Sequence, residues 1–228
     1  MKSDARLAGS GLQSDPVDLL LDGREATLGA VGSLWFRAGK RGFDIIVVLA
    51  ALPVVLGVTA LLIALNPLAN RGPVFFMQRR MGRDCRPFTV IKFRSMRPET
   101  PVRRGPDDPL EDGRITPLGR ILRRTRLDEL PQFLNVLWGD MSLIGPRPDY
   151  WDHAIHYADS VPGYRQRHRV RPGITGLAQV QAGYAEGIAA TLEKTRADLT
   201  YIERFGLAMD LYVLWRTISV VVSGYGAR

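Results

Sequence analysis

The feature that most constrains this 228-residue chain is an uncharged apolar run at residues 45–65, IIVVLAALPVVLGVTALLIAL. A helix of this length is about 30 Å long, which matches the hydrocarbon core of a bilayer. The run is too long, and begins too far from the N-terminus, to be the apolar part of a cleavable signal peptide. The sequence therefore predicts a helix embedded in a membrane.

Two features bear on whether this helix crosses the membrane. Pro53 lies near the middle of the run, where proline removes a backbone hydrogen bond and bends or breaks a helix. Cationic residues flank the run on both sides, and the positive-inside rule places such flanks in the cytoplasm. A helix that enters, breaks at Pro53 and returns to the same face satisfies both features. Because transmembrane helices tolerate proline, a spanning helix is the alternative.

The positive charge of the chain is concentrated in one segment. The formal net charge is +8, and residues 71–126 contain 15 Lys and Arg against 6 Asp and Glu. Such a segment attracts nucleic acid, anionic lipid headgroups or phosphorylated substrates. The sequence has no RNA-recognition or zinc-finger signature, and the apolar run favours lipid and phosphate over nucleic acid.

The cysteine and histidine content excludes two further classes of site. Cys85 is the only cysteine, so an intramolecular disulfide is excluded and a reducing compartment is indicated. No histidine lies near Cys85 in the sequence, which favours a buried or incidental thiol over a nucleophile. His153, His156 and His168 lack the spacing of a zinc site, so we expect no structural zinc.

The pattern of the chain predicts an α+β, mostly helical fold. We divide it into a mobile N-terminal tail (1–33, with a short helix near 17–21), a membrane helix (34–66) and a small catalytic domain (67–228). Segments 73–78 and 87–92 predict two short strands that turn at Gly82 and form a β-hairpin. The other predictions are helices at 117–130, 150–158 and 191–205, a helix or loop at 135–141, and loops at 99–113 and 171–176.

The last apolar segment, 207–222, has two interpretations. Tyr212 and Trp215 favour an interfacial helix on the membrane, since these residues are common at headgroup depth. The alternative is an ordinary core helix of the catalytic domain.

The first candidate for chemistry is the acidic pair Asp128-Glu129, which lies beside several arginines. One carboxylate can attack phosphorus as a nucleophile, and a second can hold Mg²⁺ or manage protons. Pro131 supplies a bend near the pair, which lets both side chains border one site. The alternative is an exposed acidic pair that contacts neighbouring arginines.

Two basic motifs are candidate phosphate sites. Lys92 and Arg94 are two residues apart on a predicted strand, so they face the same side and can grip a pyrophosphate. Arg147 lies between two prolines that restrict its backbone, which suits a bidentate phosphate clamp. The alternatives are a solvated strand face and a structural turn with an exposed arginine.

The order of these motifs is more specific than any one of them. The sequence contains GPVFF with Gln78 and Arg79, then KFRSM, RIT, Gly119-Arg120, LDELPQ, NVL, GDMSLIGPRP and RPGITGLAQV. In this order, over residues 37–218, the chain resembles the bacterial sugar transferase family, the monotopic polyprenyl-phosphate phosphoglycosyl transferases. The resemblance covers more than three quarters of the chain.

The resemblance implies an activity. Family members transfer a sugar-1-phosphate from a UDP-sugar to a polyprenyl phosphate, usually undecaprenyl phosphate, and release UMP. This step starts the assembly of exopolysaccharide, capsule, O-antigen or glycoprotein glycan. By resemblance, Asp128 is the nucleophile, attacks the β-phosphorus and forms a phosphosugar-enzyme intermediate. Glu129 is implied to act with Mg²⁺ or in acceptor activation, so both carboxylates are candidate metal ligands. The other implied site residues are Lys92, Arg94, Arg123, Arg147 and Asp210.

The resemblance also implies a location. The family has a re-entrant membrane helix with a proline break, which Pro53 matches. We therefore expect a monotopic enzyme on the cytoplasmic face of the bacterial inner membrane, held by that helix and by interfacial amphipathic helices among phospholipids. The chain resembles the short form of the family. Residues 181–184 (QAGY) depart from the Asn-Gly-Arg that many members have there, which leaves the identity of the sugar open.

Other functions and partners remain open on the sequence alone. A catalytically silent membrane-surface scaffold would keep the same fold, but Asp128, Glu129, Arg123 and Arg147 are all present. A nucleic-acid-binding protein is suggested by charge alone, and we expect no nucleic-acid partner. A homodimer and contacts with downstream glycosyltransferases are both compatible with the sequence.

Overall fold

The computed structural model describes residues 33–98, 105, 112–182 and 187–223. Within these residues it is a mostly helical α+β fold with a short antiparallel hairpin and one long apolar helix, as predicted. The helices are α1 (Leu34–Ala69), α2 (Pro117–Arg124), α3 (Gln132–Trp138), α4 (Trp151–Ser160), α5 (Leu177–Ala182), α6 (Ile188–Glu203) and α7 (Leu207–Ser223). The strands are β1 (Phe75–Met81), β2 (Pro87–Phe93), β3 (Ser142–Ile144) and β4 (Gly173–Thr175). The short helix predicted near 17–21 and most of the loop predicted at 99–113 lie outside the described residues.

Helix α1 contains the apolar run and continues beyond both of its ends. Ser33 caps it by accepting a hydrogen bond from the backbone N–H of Phe36. Pro53 and Pro67 both lie inside this one 36-residue helix, and neither separates it into two helices. Among the described residues, α1 is the one helix long and apolar enough to cross a membrane.

The predicted hairpin is present, with its turn built differently from the expectation. Strands β1 and β2 pair antiparallel, with Gln78 opposite Val90. The connection is a 3₁₀ turn at Arg83–Cys85, in which Asp84 and Cys85 have positive φ, and not a simple turn at Gly82. The backbone N–H of Gly82 donates to the carbonyl of Arg86 at 2.8 Å and closes this turn.

The helix predicted at 117–130 ends at Arg124. Thr116 caps its first turn and Pro117 occupies its first position, as expected from the fixed φ of proline. Arg126 adopts a left-handed backbone (φ 58°), which stops the helix and starts a separate 3₁₀ turn at Leu127–Glu129. Helix α3 then begins directly after Pro131. The acidic pair therefore lies in a tight turn between two short helices.

The segment predicted as loop at 171–176 contains strand β4. It pairs in parallel with β3, so that Ser142 lies opposite Gly173. A side chain at Gly173 would come within 2.1 Å of the backbone nitrogen of Gly145. Only glycine allows this approach, which brings the RPGITG and GPRP motifs into contact.

Helix α7 has one buried and one exposed apolar face, so it packs on the core, and its placement at a membrane interface stays a prediction. One face packs on the core, where Val213 is fully buried with Leu199, Tyr201 and Ile202. The opposite face is exposed and carries Leu207, Leu211, Tyr212, Trp215 and Ile218.

Candidate active site

Asp128 is the central residue of the candidate site. Its side chain is held in the 3₁₀ turn after Arg126, and the residue is only 8% exposed. Its Oδ1 is buried and has no hydrogen-bond partner among the described residues. Burial raises the pKa of this carboxyl; Lys92 opposes the increase, Glu129 adds to it, and Arg147 and Arg123 oppose it. Asp128 is thus a desolvated carboxyl group among cations, with an oxygen available for another partner.

Glu129 differs from Asp128 in having both oxygens engaged. Arg147 binds it through both guanidinium nitrogens, with Nη1 3.1 Å from Oε2 and Nη2 bonded to Oε1. Lys92 Nζ lies 3.3 Å from Oε1. Burial alone would raise the pKa of Glu129, but Arg147 and Lys92 hold it well below its usual range. Glu129 is therefore ionised and fixed in position.

Lys92 completes this ion-pair cluster from strand β2. Burial lowers the pKa of its amine to about 8, although Glu129 pulls it upwards. Arg147 and Arg80 reinforce the decrease by repulsion. Lys92 therefore changes its charge close to physiological pH.

The backbone of Arg147 is held by a buried network that the sequence did not reveal. Arg167 Nη2 donates to the carbonyl of Arg147 at 2.8 Å, and Arg80 Nη1 donates to the carbonyl of Pro148 at 2.5 Å. Arg167 is itself fully buried between Asp149, which it contacts closely, and Asp198, at 2.6 Å. Burial lowers the pKa of Arg167, but the two aspartates outweigh it and hold the pKa above its usual range.

Sequence reasoning missed these supporting residues for a simple reason. Arg167 lies in a basic segment together with Arg165 and Arg169, and nothing in the spacing distinguishes it from them. Asp149 directly follows the GPRP motif, and this position is the one feature of the sequence that could have suggested a role for it beside Arg147.

The structure groups four of the predicted site residues around Asp128. Glu129, Lys92, Arg147 and Arg123 all contribute charge at its carboxyl group. Arg123 is anchored by a 3.0 Å hydrogen bond from its Nε to Ser95 Oγ.

Two predicted site residues lie elsewhere. The guanidinium of Arg94 donates to backbone carbonyls of Asn70, Pro73 and Met96, and so joins the end of β2 to the end of α1. Arg94 and Lys92 therefore have different partners in the structure, despite their spacing. Asp210 binds Lys40 and Tyr201, and its described contacts connect α7 to α1. The binding of substrate phosphate by Arg94 and Asp210 stays a prediction.

The donor set allows one form of magnesium binding. The described residues contain no group of three or more Asp, Glu, His or Cys side chains close enough to hold a metal by themselves. Mg²⁺ commonly takes one or two carboxylates and completes its shell with substrate phosphates and water. Asp128 Oδ1 fits that role, whereas both oxygens of Glu129 already bind cations.

Burial shifts the pKa values of Cys85 and His168. Cys85 Sγ lies 4.0 Å from the carbonyl of Arg165, and burial raises the pKa of its thiol, which disfavours a thiolate nucleophile. Burial lowers the pKa of His168 to about 3, so this residue is neutral.

Comparison with known proteins places this geometry in context. The family model of bacterial sugar transferases matches residues 35–224. A UDP-N-acetylgalactosamine-undecaprenyl-phosphate N-acetylgalactosaminephosphotransferase of Aeromonas hydrophila is 41% identical over 83% of this chain. A UDP-glucose:undecaprenyl-phosphate glucose-1-phosphate transferase of Caulobacter vibrioides is 41% identical over 91% of it. An exopolysaccharide production protein of Rhizobium leguminosarum bv. phaseoli is 42% identical over 78% of it.

The relatives differ in length. The matched region covers 45% of the Aeromonas protein, 79% of the Caulobacter protein and 92% of the Rhizobium protein. The chain therefore spans less than half of the first of these relatives.

Proposed function

Since this chain belongs to the bacterial sugar transferase family, we propose that it transfers a sugar-1-phosphate from a UDP-sugar to undecaprenyl phosphate and releases UMP. The names of the Aeromonas and Caulobacter relatives support this reaction, and that of the Rhizobium relative supports exopolysaccharide assembly as its purpose. The observation that carries the proposal is the contrast between two adjacent carboxylates. Asp128 keeps a buried oxygen that no described residue hydrogen-bonds, while Glu129 is held by Arg147 and Lys92.

The first chemical step uses Asp128. One of its oxygens attacks the β-phosphorus of the UDP-sugar, the bond from that phosphorus to the bridging oxygen breaks, and UMP leaves with the electron pair. An oxygen of the prenyl phosphate then attacks the same phosphorus and releases the Asp128 carboxylate. The product is a polyprenyl-diphosphate-sugar, and the enzyme returns to its starting state.

The cations around Asp128 make these steps feasible. A UDP-sugar, a prenyl phosphate and a carboxylate are all anionic, so their approach requires neutralisation of charge. Lys92, Arg123 and Arg147 supply it from three different elements. Glu129 orients Arg147 and Lys92 so that their positive charge stays beside Asp128. Mg²⁺, held by Asp128 and substrate phosphates, would add further positive charge at the transferred group.

We further propose that α1 is re-entrant, so that both of its ends lie on the cytoplasmic face. Near its start, Asp44 accepts a hydrogen bond from the backbone of Leu143 at 3.1 Å. At its end, Asn70 donates to the carbonyl of Arg94 at 2.8 Å. A straight helix places residues 44 and 70 about 39 Å apart, more than the thickness of the hydrocarbon core. Contacts from both ends to one globular body support an arrangement in which neither end crosses the membrane.

The exposed apolar surface supports a shallow, monotopic placement. The exposed residues of α1 and the apolar face of α7 form apolar surface whose contact with water is unfavourable, and contact with lipid would remove it from water. An interfacial α7, with Trp215 and Tyr212 at headgroup depth, fits the preference of these side chains for the interface. This placement holds Asp128 near the prenyl phosphate while the prenyl tail stays in lipid.

The experiment that tests the proposed reaction is a UMP-release assay. The full chain, purified into nanodiscs, is incubated with Mg²⁺, undecaprenyl phosphate and a panel of UDP-sugars, with Asp128→Asn in parallel. UMP release that disappears in the variant supports the reaction and the nucleophile, and identifies the sugar. Release that survives in the variant would overturn the role of Asp128. Folded protein without UMP release from any donor would favour the scaffold alternative.

A further inference from the structure

A second basic site lies apart from the carboxylate pair, at the beginning of α1. A cavity of about 280 Å³ is formed by the start of this helix, the turn of the hairpin, and the segment before β4. Its lining includes six cations and two carboxylates, Asp44 and Asp84. The six cations are Arg37, Lys40, Arg41, Arg83, Arg169 and Arg171. None of the residues grouped around Asp128 contributes to this cavity.

The inner cations of this pocket are held in place without losing their charge. The guanidinium of Arg41 donates to the carbonyls of Val136 and Leu137, at 2.5 and 2.9 Å. Arg171 Nε donates to the carbonyl of Gly139 at 2.9 Å. These acceptors are neutral, so the contacts orient the two guanidinium groups but leave their positive charges in the pocket.

Several of these cations are close enough to repel one another, as the pKa of Arg171 shows. Burial lowers the pKa of Arg171, and the nearby charges of Arg41 and Arg83 lower it further, whereas Asp44 opposes the change. Cations from three separate segments thus meet around one cavity at an electrostatic cost. An anion in the cavity would relieve that cost.

Two cations at the rim are the most available to a ligand. Arg37 is exposed, and within the described part of the chain its side chain has no ion pair. Arg83 lies 3.4 Å from Asp84, and both side chains are about half exposed. Such an exposed pair contributes little to stability, so Arg83 can exchange this partner for a stronger anion.

The position of the pocket identifies the kind of anion. Its α1 residues occupy the turns directly before the apolar run, which begins at residue 45. Trp35, two residues before the lining residue Arg37, is 87% exposed, and Leu207, two residues after the lining residue Phe205, is also exposed. The pocket therefore lies where an apolar surface meets a charged one, which is the depth of lipid headgroups.

We propose that this pocket binds the phosphate group of an anionic membrane lipid. Its arginines contact the headgroup phosphate while the acyl chains lie along the apolar surface of α1. The bound lipid fixes the orientation of the catalytic domain relative to the membrane. The inference does not depend on the proposed transfer reaction, since it concerns other residues and a lipid that is not consumed.

The test is lipid binding by the full chain in a neutral detergent, measured by native mass spectrometry. Phosphatidylglycerol is titrated onto the wild type, with phosphatidylcholine as the zwitterionic comparison and inorganic phosphate as a soluble competitor. The test variant is Arg37→Ala with Arg83→Ala, because both residues line the cavity and both are exposed. The matched control is Arg165→Ala with Arg196→Ala, which removes two exposed arginines outside the pocket.

We expect the affinity for phosphatidylglycerol to be at least about tenfold lower in the rim variant than in the wild type. We expect the control variant to keep the affinity of the wild type. Phosphatidylcholine is expected to bind weakly to all three proteins. Equal affinity in all three, or an equal loss in both variants, would overturn the proposal. Phosphate binding that the rim variant loses, with no preference of the wild type for phosphatidylglycerol over phosphatidylcholine, would reject lipid as the source and assign the pocket to free phosphate.

Discussion

Lys40 Nζ lies 2.7 Å from Asp210 Oδ2, although the two residues are 170 positions apart. Both side chains are largely buried, and the other oxygen of Asp210 accepts a hydrogen bond from the Tyr201 hydroxyl at 2.7 Å. The contact joins the beginning of the membrane helix to α7. It gives Asp210 a structural role in addition to the active-site role that the family resemblance implies.

We expect Asp210→Asn to lower stability more than it lowers the intrinsic activity of the folded protein. The change removes the carboxylate paired with the largely buried Lys40, and loss of a buried ion-pair partner typically costs about 3–5 kcal/mol. The measurement is the melting temperature in detergent together with kcat and KM for UMP release. Asp159→Asn is the control, because its pair with Arg165 is exposed. An unchanged melting temperature with lost activity would favour substrate binding by Asp210.

Arg147→Lys is expected to reduce UMP release by about 10²–10³-fold, the typical effect of losing one well-placed donor. Lysine keeps the charge but cannot bind both oxygens of Glu129 as the guanidinium does. The assay is the steady-state rate with a saturating UDP-sugar. Arg165→Lys serves as a control, since its partner Asp159 is exposed and outside the site. A rate near that of the wild type would show that bidentate binding of Glu129 is dispensable.

The rate of UMP release is expected to fall as the pH rises through about 8. The pKa of Lys92 is lowered to about 8, so the amine is charged below this pH and neutral above it. Loss of the charge removes the ion pair with Glu129 and one cation beside Asp128. Lys92→Arg stays charged, and we expect its pH profile to lack this decline even if its rate at neutral pH is lower. Lys194→Arg, the control, should retain the decline; its loss there would assign the titration elsewhere.

Asp198→Asn is expected to destabilise the protein by about 1–3 kcal/mol, because it removes one of the two buried carboxylates that pair with Arg167, while Asp149 remains. The control is Glu193→Gln, which breaks an exposed pair with Arg196 and should cost less than about 1 kcal/mol. Thermal unfolding in detergent measures both. Since Arg167 also holds the carbonyl of Arg147, the folded fraction of Asp198→Asn should have a reduced kcat. Equal melting temperatures for the two variants would contradict this account.

Re-entrance of α1 predicts that both of its flanks can be labelled from one side of the membrane. In a Cys85→Ser background, single cysteines at Leu34 and Arg71 are exposed positions on either side of the apolar run. An impermeant maleimide should modify both in inside-out vesicles and neither in intact spheroplasts. The wild-type protein, labelled in parallel at Cys85, serves as the reference for the domain that follows α1. Labelling of the two sites from opposite sides would establish a spanning helix.

The sequence alone determined those helices and strands that depend on residues close together in the chain. The apolar run predicted the long helix, proline at position 117 predicted the start of α2, and alternating strand segments around Gly82 predicted the hairpin. The carboxylate pair was recognisable because two adjacent acids in a basic stretch, with motifs in a known order, are visible without any fold.

Only the tertiary structure decided which partner each charged side chain binds. Lys92 and Arg94 are alike in sequence, yet Lys92 reaches Glu129 while Arg94 binds the carbonyls at the end of α1. The strand β4 was invisible because its pairing depends on the close approach of Gly173 to Gly145, two positions far apart in the chain. Likewise, Arg167 and Asp198 became a pair only when the 3₁₀ turn at Tyr164–Arg169 packed against α6. Long-range contacts of this kind depend on which surfaces meet, and a sequence pattern reports only what is near in the chain.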